Sequence, residues 1–436
     1  MTRARVLLII NQCNPDWPSE PLEGYRWYEG LRERADVTLV THVRNREALQ
    51  RSGVSGRVFY IEEGVFIRRY YAAASRLATR RGAINWPLLH ALSYPVYEAF
   101  NREVDRRFAP AVRRGEFDVV HAITPVLPRY PVRLSRACGA VPFVLGPVNG
   151  GLPFPPGFAA VAAREFAAYY FLRRWGWLLP GYRATYHRAA VLLGGSQHTA
   201  DWLRRVFPAA AARVRLLHEN GVSAEFFAAP RQQPAVADRF SLLFVGRLVP
   251  FKGCDIVIEA MARAAEPSLH LTVVGDGPER ARLAELTAAL GLSERVRFVG
   301  WLPQSETADH YRAADAFCFP SVREFGGAVV LEAMAAGLPC IVVDHGGIGE
   351  YVTAATGYKL PALSRGQLVG DVHEAIVRMM RDRTGWQRLS RGAFERARCF
   401  EWGRKCDEMT QLYASLLRAG TGCADAKPRT APAASR

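Results

Sequence analysis

Short apolar runs recur along this chain, each bounded by glycine, proline or polar residues. Residues 6–10 (Val-Leu-Leu-Ile-Ile), 37–41, 58–61, 117–123, 143–145, 191–193 and 214–217 are dense in Val, Ile and Leu. Largely apolar on both sides, they predict strands buried on both faces, as in a parallel sheet. Residues 25–34 and 65–108 are expected to be helical. A second series of apolar runs follows at 241–245, 269–274, 296–299, 316–319, 340–343 and 358–360, again with helices between, and 384–418 read as terminal helices. Two rounds of strand–helix alternation predict an α/β protein of two domains, each a sheet covered by helices. The expected divisions are 1–222 for the first domain, 223–238 for a linker, 239–395 for the second domain, 396–418 for a C-terminal helix and 419–436 for a small, polar, disordered tail.

Composition narrows the class. With 436 residues, 49% apolar and 22% charged, the chain reads as a soluble globular protein of two ordinary domains. No apolar run of about 18 residues predicts a membrane span. The first apolar run is too short for a secretion signal and reads as a core strand. The eight cysteines are scattered without a Cys-x-x-Cys pair, which argues against a structural zinc or disulfide framework and fits a reducing cytoplasm. Charge is uneven. Residues 1–220 carry 31 arginines and no lysine against 17 acids, a formal +14, whereas the remainder is near +2. Such a front half favours anionic partners, lipid surfaces or lipid-linked phosphates among them. Residues 154–188 mix Phe166, Tyr169, Tyr170, Phe171, Trp175 and Trp177 with arginines. They read either as a basic-aromatic surface lying on an anionic membrane, at the inner face of the plasma membrane, or as buried helix packing. Nucleic acid is not an expected partner.

The chemistry concentrates at 316–339. An apolar strand stops at Pro320-Ser321, a loop carries Glu324-Phe325-Gly326-Gly327, and a helix bearing Glu332 ends at Gly337-Leu338-Pro339. A helix start free of Cβ atoms lets a phosphate approach backbone amides. Gly246-Arg247-Leu248-Val249-Pro250-Phe251-Lys252-Gly253 places two cations just past a strand, suited to a diphosphate. Gly275-Asp276-Gly277-Pro278 lacks the third glycine of a dinucleotide fingerprint. No Asp-x-Asp occurs, so a metal-dependent nucleotide-sugar site is unsupported and no metal site is expected. His121 follows Asp118-Val119-Val120 and is expected at a strand end.

The joint order and spacing of these pieces over residues 218–360 resemble glycosyltransferase family 4, retaining transferases of the GT-B fold. The resemblance implies two Rossmann-like domains facing across a deep cleft, with the C-terminal helix packed back on the first. It implies a nucleotide-diphosphate sugar as co-substrate without a cofactor, and a glycan or lipid-linked acceptor from surface-polysaccharide synthesis. By the same resemblance Arg247 and Lys252 would hold the diphosphate, Glu324 the transferred sugar and Glu332 the ribose. Phe325, Gly326 and Gly327 would line sugar and phosphate through their amides. Gly246 and Gly275 would line the donor site, and backbone up to Leu302 the base. His121 would stand by the acceptor, and Gly24 in the place of the family's first-loop glycine pair. A GT-B-fold epimerase, or a catalytically silent nucleotide-sugar-binding protein, are the alternatives.

Overall fold

The computed structural model describes residues 3–54, 56–80, 83–127, 130–228 and 238–424. Seven strands form the first sheet: β1 (Arg5–Ile10), β2 (Asp36–His42), β3 (Arg57–Ile61), β4 (Val119–Thr124), β5 (Phe143–Val148), β6 (Val191–Gly194) and β7 (Val214–Leu216). Their order is 3-2-1-4-5-6-7 and every pairing is parallel. Six strands form the second: β8 (Phe240–Val245), β9 (Leu269–Val274), β10 (Val296–Gly300), β11 (Ala316–Phe319), β12 (Cys340–Val343) and β13 (Gly357–Leu360). They lie in the order 10-9-8-11-12-13, also parallel throughout. Each sheet reverses its winding beside its first strand, between β1 and β4 and between β8 and β11. Loops leaving two such strands diverge to opposite faces and open a crevice at the carboxyl ends.

Alternate residues of β1 enter two separate cores. Leu7 and Ile9 join one with Val120 and Phe143; Val6, Leu8 and Ile10 join another with Leu39 and Val119. The second of these cores also contains Cys406, Met409, Leu412 and Tyr413 of the last helix, Trp402–Ala424. The chain therefore crosses from the second domain and packs its end against the first, as the resemblance implies. The stretch 396–418 is not one helix: Arg383–Ala397 closes the second domain, and the last helix runs from Trp402 to Ala424, into the stretch expected to be disordered. Residues 425–436 of the expected tail and 229–237 of the expected linker lie outside the described residues.

Two helical expectations need correction. The first helix, α1 (Glu20–Arg32), begins before residue 25, with Pro21 in its first turn. Proline there loses no hydrogen bond and brings a helical φ, so the proline-rich stretch starts the helix and does not delay it. The expected helix at 65–108 is three helices, Val65–Ala78, Trp86–Leu92 and Tyr94–Arg113. Asn85 caps the second by accepting the Leu88 amide at 3.1 Å, and Pro87 and Pro95 occupy first turns.

Candidate active site in the interdomain cleft

The second domain contributes the loops that leave β8 and β11, the two strands flanking its winding reversal. The first loop carries Lys252 and the second Glu324, and their side chains form an ion pair, each about one-sixth exposed. Ser321 Oγ donates to the same Glu324 oxygen at 3.4 Å, and the ammonium lies over the rings of Phe319 (5.0 Å) and Phe251 (5.4 Å). Past Glu324, Gly327 adopts φ +73° and caps the helix α2 (Ala328–Ala335). The Gly347 N–H donates to the carbonyls of Glu324 (3.2 Å) and Phe325 (3.0 Å), locking the loops after β11 and β12 together. A Cβ at Gly346 or Gly347 would overlap those same carbonyls. Gly246 and Gly275 serve a similar end after β8 and β9: a Cβ on Gly275 would overlap the Gly246 carbonyl. Leu302 packs partly buried beyond β10, beside an exposed Trp301.

The two glutamates of the Glu324–Glu332 pair meet different surroundings. Glu332, on α2, is buried and accepts hydrogen bonds from Gln304 Nε2 (2.5 Å) and the Tyr311 hydroxyl (2.8 Å). Burial raises its carboxyl above the ordinary range despite those bonds. Arg247 turns across the cleft, its guanidinium 5.8 Å from the Trp86 ring of the first domain. Further contacts join the domains. Arg323 donates to the Leu152 carbonyl (3.0 Å) and stacks on Phe154, Tyr170 and Phe325. Arg164 pairs with Glu279, and Glu350 accepts the Gln197 amide at 2.8 Å.

The first domain answers with acids. Glu20 and Glu23 share a face at the start of α1. Glu20 Oε1 accepts the Val126 N–H at 3.0 Å, joining the loops after β1 and β4 at that sheet's own winding reversal. Both acids are partly reached by solvent. Burial pushes Glu20 up to about 7, and burial with the charges of Glu20 and Glu324 pushes Glu23 up to about 8. Glu219, just past β7 and 5% exposed, is raised well above the ordinary range by burial and by Glu23. Burial lowers Lys405 to about 8, and its ammonium donates to the His218 carbonyl. The Glu324 charge acts on both Glu23 and Glu219, so acids from both domains share one volume. Among the described residues, no three His, Cys, Asp or Glu side chains are grouped to hold a metal ion.

These shifts carry a pH test. Glu23 has a folded pKa above the ordinary 4.5, so the folded chain keeps a proton that the unfolded chain loses. Its contribution to stability therefore falls as pH rises from about 5 to about 8. Glu23→Gln removes that loss. The melting temperature of the variant relative to wild type should rise by on the order of a few degrees between pH 5 and 9. A difference that stays flat with pH would show that this carboxyl does not hold its proton.

Two expected site residues lie elsewhere. β4 continues to Thr124, so His121 sits within the strand and not at its end, wholly buried. Its Nε2 lies 2.5 Å from the Gly146 carbonyl and its Nδ1 2.6 Å from the Tyr413 hydroxyl. A carbonyl can only accept, so Nε2 carries the hydrogen and Nδ1 accepts from Tyr413. Burial lowers the ring to about 4 and keeps it neutral. His121 thus ties β4, β5 and the last helix together, without a face on the cleft. Gly24 lies inside α1, where a Cβ would overlap the Gln12 carbonyl; its small size serves close packing of helix on loop. Sequence reasoning missed Glu20, Glu23, Glu219, Lys405 and the Gln304–Tyr311 support of Glu332. The i, i+3 spacing of Glu20 and Glu23 was the available signal, had the stretch been read as helix.

Comparison with known proteins agrees with this geometry. Residues 226–387 match the family model described as glycosyl transferases group 1. D-inositol 3-phosphate glycosyltransferase 1 of Catenulispora acidiphila is 31% identical over 355 residues, 74% of this chain and 80% of that protein. The Kribbella flavida D-inositol 3-phosphate glycosyltransferase is 34% identical over 230 residues, about half of each chain. Among solved structures, Anabaena HepE in complex with UDP-glucose superimposes with a TM-score of 0.60 at 18% identity, covering 95% of this chain and 100% of that one. WaaG, a glycosyltransferase involved in lipopolysaccharide biosynthesis, gives 0.57 at 17%, covering 94% and 99%. With two parallel-sheet domains closed on a cleft and a relative matched over four-fifths of its length, the chain belongs to the glycosyl transferases group 1, and its fold is GT-B.

Proposed function

We propose that this enzyme transfers a sugar from a nucleotide-diphosphate donor to a glycan or lipid-linked acceptor, with retention and without a metal. The observation that carries the reading is the Lys252–Glu324 pair at the β8/β11 reversal, facing the β1/β4 reversal across the cleft. Lys252, with Arg247, would meet the charge of the departing diphosphate, the task a divalent ion performs in other transferases. Glu324 would orient the hydroxyls of the transferred sugar beside that amine. Glu332, aligned by Gln304 and Tyr311, would present a carboxylate to the ribose. Anabaena HepE has been solved with UDP and with UDP-glucose, which makes UDP the first nucleotide to test. A thermal-shift screen of UDP, GDP and ADP is expected to show one clear stabiliser; a flat response to all three would remove the donor reading.

The acceptor side extends to the surface. The segment 154–188 divides: Tyr182 and Tyr186 are core and Phe154 and Tyr170 stack on Arg323, whereas Phe171, Trp175, Trp177 and Leu178 are exposed. Helix Val65–Ala78, with exposed Val65, Phe66 and Leu77, packs against Trp86–Leu92, which packs in turn against the 167–178 segment. These three neighbouring elements each expose apolar side chains on the arginine-rich half, and Trp86 lies 5.8 Å from the Arg247 guanidinium. Such a face suits peripheral docking on an anionic leaflet, where a lipid-linked acceptor is presented to the cleft. No helix among the described residues is long and apolar enough to cross a membrane. Flotation should show binding to vesicles with about 30% phosphatidylglycerol over pure phosphatidylcholine, reduced several-fold by Phe171→Glu with Trp175→Glu. Equal recovery with both lipids would remove the docking surface. A second reading takes its acceptor from the relatives' names, a D-inositol 3-phosphate.

A further inference from the structure

Residues 152–165 join β5 to β6 of the first sheet, yet they pack on the second domain. Phe158 is buried within the second domain's core, and Phe154 and Val161 pack against it. The segment also meets the loops that follow β8, β9, β11, β12 and β13. Phe154 stands edge-on to Phe251, Arg164 pairs with Glu279, and Leu152 and Pro153 bond to Arg323 and His345. A Cβ on Gly157 would overlap the Leu363 carbonyl. This first-domain strap therefore crosses the strand ends where an open α/β sheet binds its ligand. Two of its contacts are adjacent and converge on Glu324. Arg323 Nε donates to the Leu152 carbonyl at 3.0 Å, and His345 Nε2 donates to the next carbonyl, Pro153, at 2.8 Å. Arg323 belongs to the loop after β11 and His345 to the loop after β12, so two consecutive carbonyls bridge both loops. The Leu152 side chain fills the corner between them: a Cβ on Gly346 would overlap both Leu152 Cδ2 and the Glu324 carbonyl.

Glu324 lies in an irregular loop, so no helix or strand sets the direction of its side chain. Its backbone is pinned on both sides instead. After it, the Gly347 N–H holds the carbonyls of Glu324 and Phe325. Before it, Arg323 is held by the strap. The guanidinium lies 5.1 Å from the Phe154 ring, 4.8 Å from Tyr170 and 4.8 Å from Phe325, with the Phe154 and Tyr170 rings parallel to within 5°. A neutral carbonyl and three rings engage the planar, forked shape of this group, which a lysine does not share. We propose that Arg323 is a positioning residue for the transfer: clamped on residues 152–154 of the first domain, it sets the direction of the Glu324 carboxylate toward the transferred sugar without touching the donor phosphates. This rests on the transferase reading and deepens it, because Glu324 is then aligned only while the first-domain strap is seated on the second domain. Closing the cleft and completing the sugar site become one event.

Nucleotide binding and turnover, measured separately, test this. UDP, GDP and ADP are titrated against the full chain, and hydrolysis of the glucose conjugate of the nucleotide that binds is followed. Arg323→Ala and Arg323→Lys should both lower kcat about ten- to a hundredfold, the cost of a reacting group displaced by a fraction of an ångström to an ångström, and should leave affinity for the nucleotide alone within about threefold. Lysine keeps the charge but not the plate, so it should not rescue. Phe154→Leu disturbs the clamp from the first-domain side and should give the same split. The double variant Phe154→Leu, Arg323→Ala should turn over within about twofold of Arg323→Ala, because both changes break one contact. Retained stabilisation by the nucleotide shows that each variant is folded. Three results overturn the proposal: wild-type kcat in Arg323→Lys, which makes charge sufficient; nucleotide affinity falling in step with kcat in Arg323→Ala, which puts the side chain on the phosphates or makes it a general support of the fold; or losses that multiply in the double variant. A wild-type chain that binds no nucleotide would instead strike the donor reading, so the two failures are distinct.

Discussion

Lys252→Ala is expected to lower kcat/KM for donor turnover by about 10²- to 10³-fold, the usual loss when one preorganised charge contact to a transition state is removed. The ammonium sits over two aromatic rings in a cleft where it is 17% exposed, so its field is poorly screened. The bond from sugar C1 to phosphate breaks with charge accumulating on the diphosphate. The contact therefore strengthens on the way to the transition state, and kcat should fall more than donor affinity. Removing the amine also strands Glu324. Glu324→Ala should accordingly impair turnover more than Glu332→Ala, whose carboxyl is held by neutral groups. Acceptor-independent donor hydrolysis measures all three variants before any acceptor is known. Near-normal hydrolysis by Lys252→Ala would reject a diphosphate role for this residue.

Legibility followed sequence distance. The second domain was readable because its donor-side pieces are local: strand, loop and helix are contiguous from Ala316 to Leu338, and Gly246 to Gly253 needs only the strand before it. Even there, the Lys252–Glu324 contact depends on β8 and β11 being neighbours, which no local pattern states. The first domain was read in outline, since its strands are buried apolar runs, but its site residues were not. His121 reads as near the end of the apolar run 117–123, whereas the ladder to β1 continues to Thr124 and leaves it inside the strand. Gly24 reads as a loop residue because three prolines precede it, whereas Pro21 opens the helix. Glu219 acquires its character from Glu23, Asn149 and Gly326, which lie 196, 70 and 107 positions away in sequence, so only the fold could bring it forward.

Gly326→Ala should be the other severe change, and its cause lies at the meeting of both halves of the site. A Cβ at 326 would overlap the Asn220 amide nitrogen and Glu219 Oε1, while Gly326 Cα is itself close to where a Cβ on Gly347 would stand. The loop cannot retreat without breaking the Gly347 bonds to Glu324 and Phe325 that fix it. Asn220 is short and buried, and Glu219 is confined beside Asn149, so neither can swing freely away. Relief must come from displacing the donor loop or opening the junction by a fraction of an ångström to an ångström. A shift of that size at a reacting centre costs on the order of 10²-fold in turnover. Gly327→Ala is a useful contrast: its φ of +73° adds backbone strain, and a Cβ there meets Ile348 and Glu324 on the second domain alone. Gly326→Ala should therefore weaken acceptor and donor use together, whereas Gly327→Ala should act on donor use and stability. Both effects are read from KM for each substrate and from melting temperature. If Gly326→Ala keeps wild-type KM values and melting temperature, then Glu219 and Asn220 do not press on the donor loop.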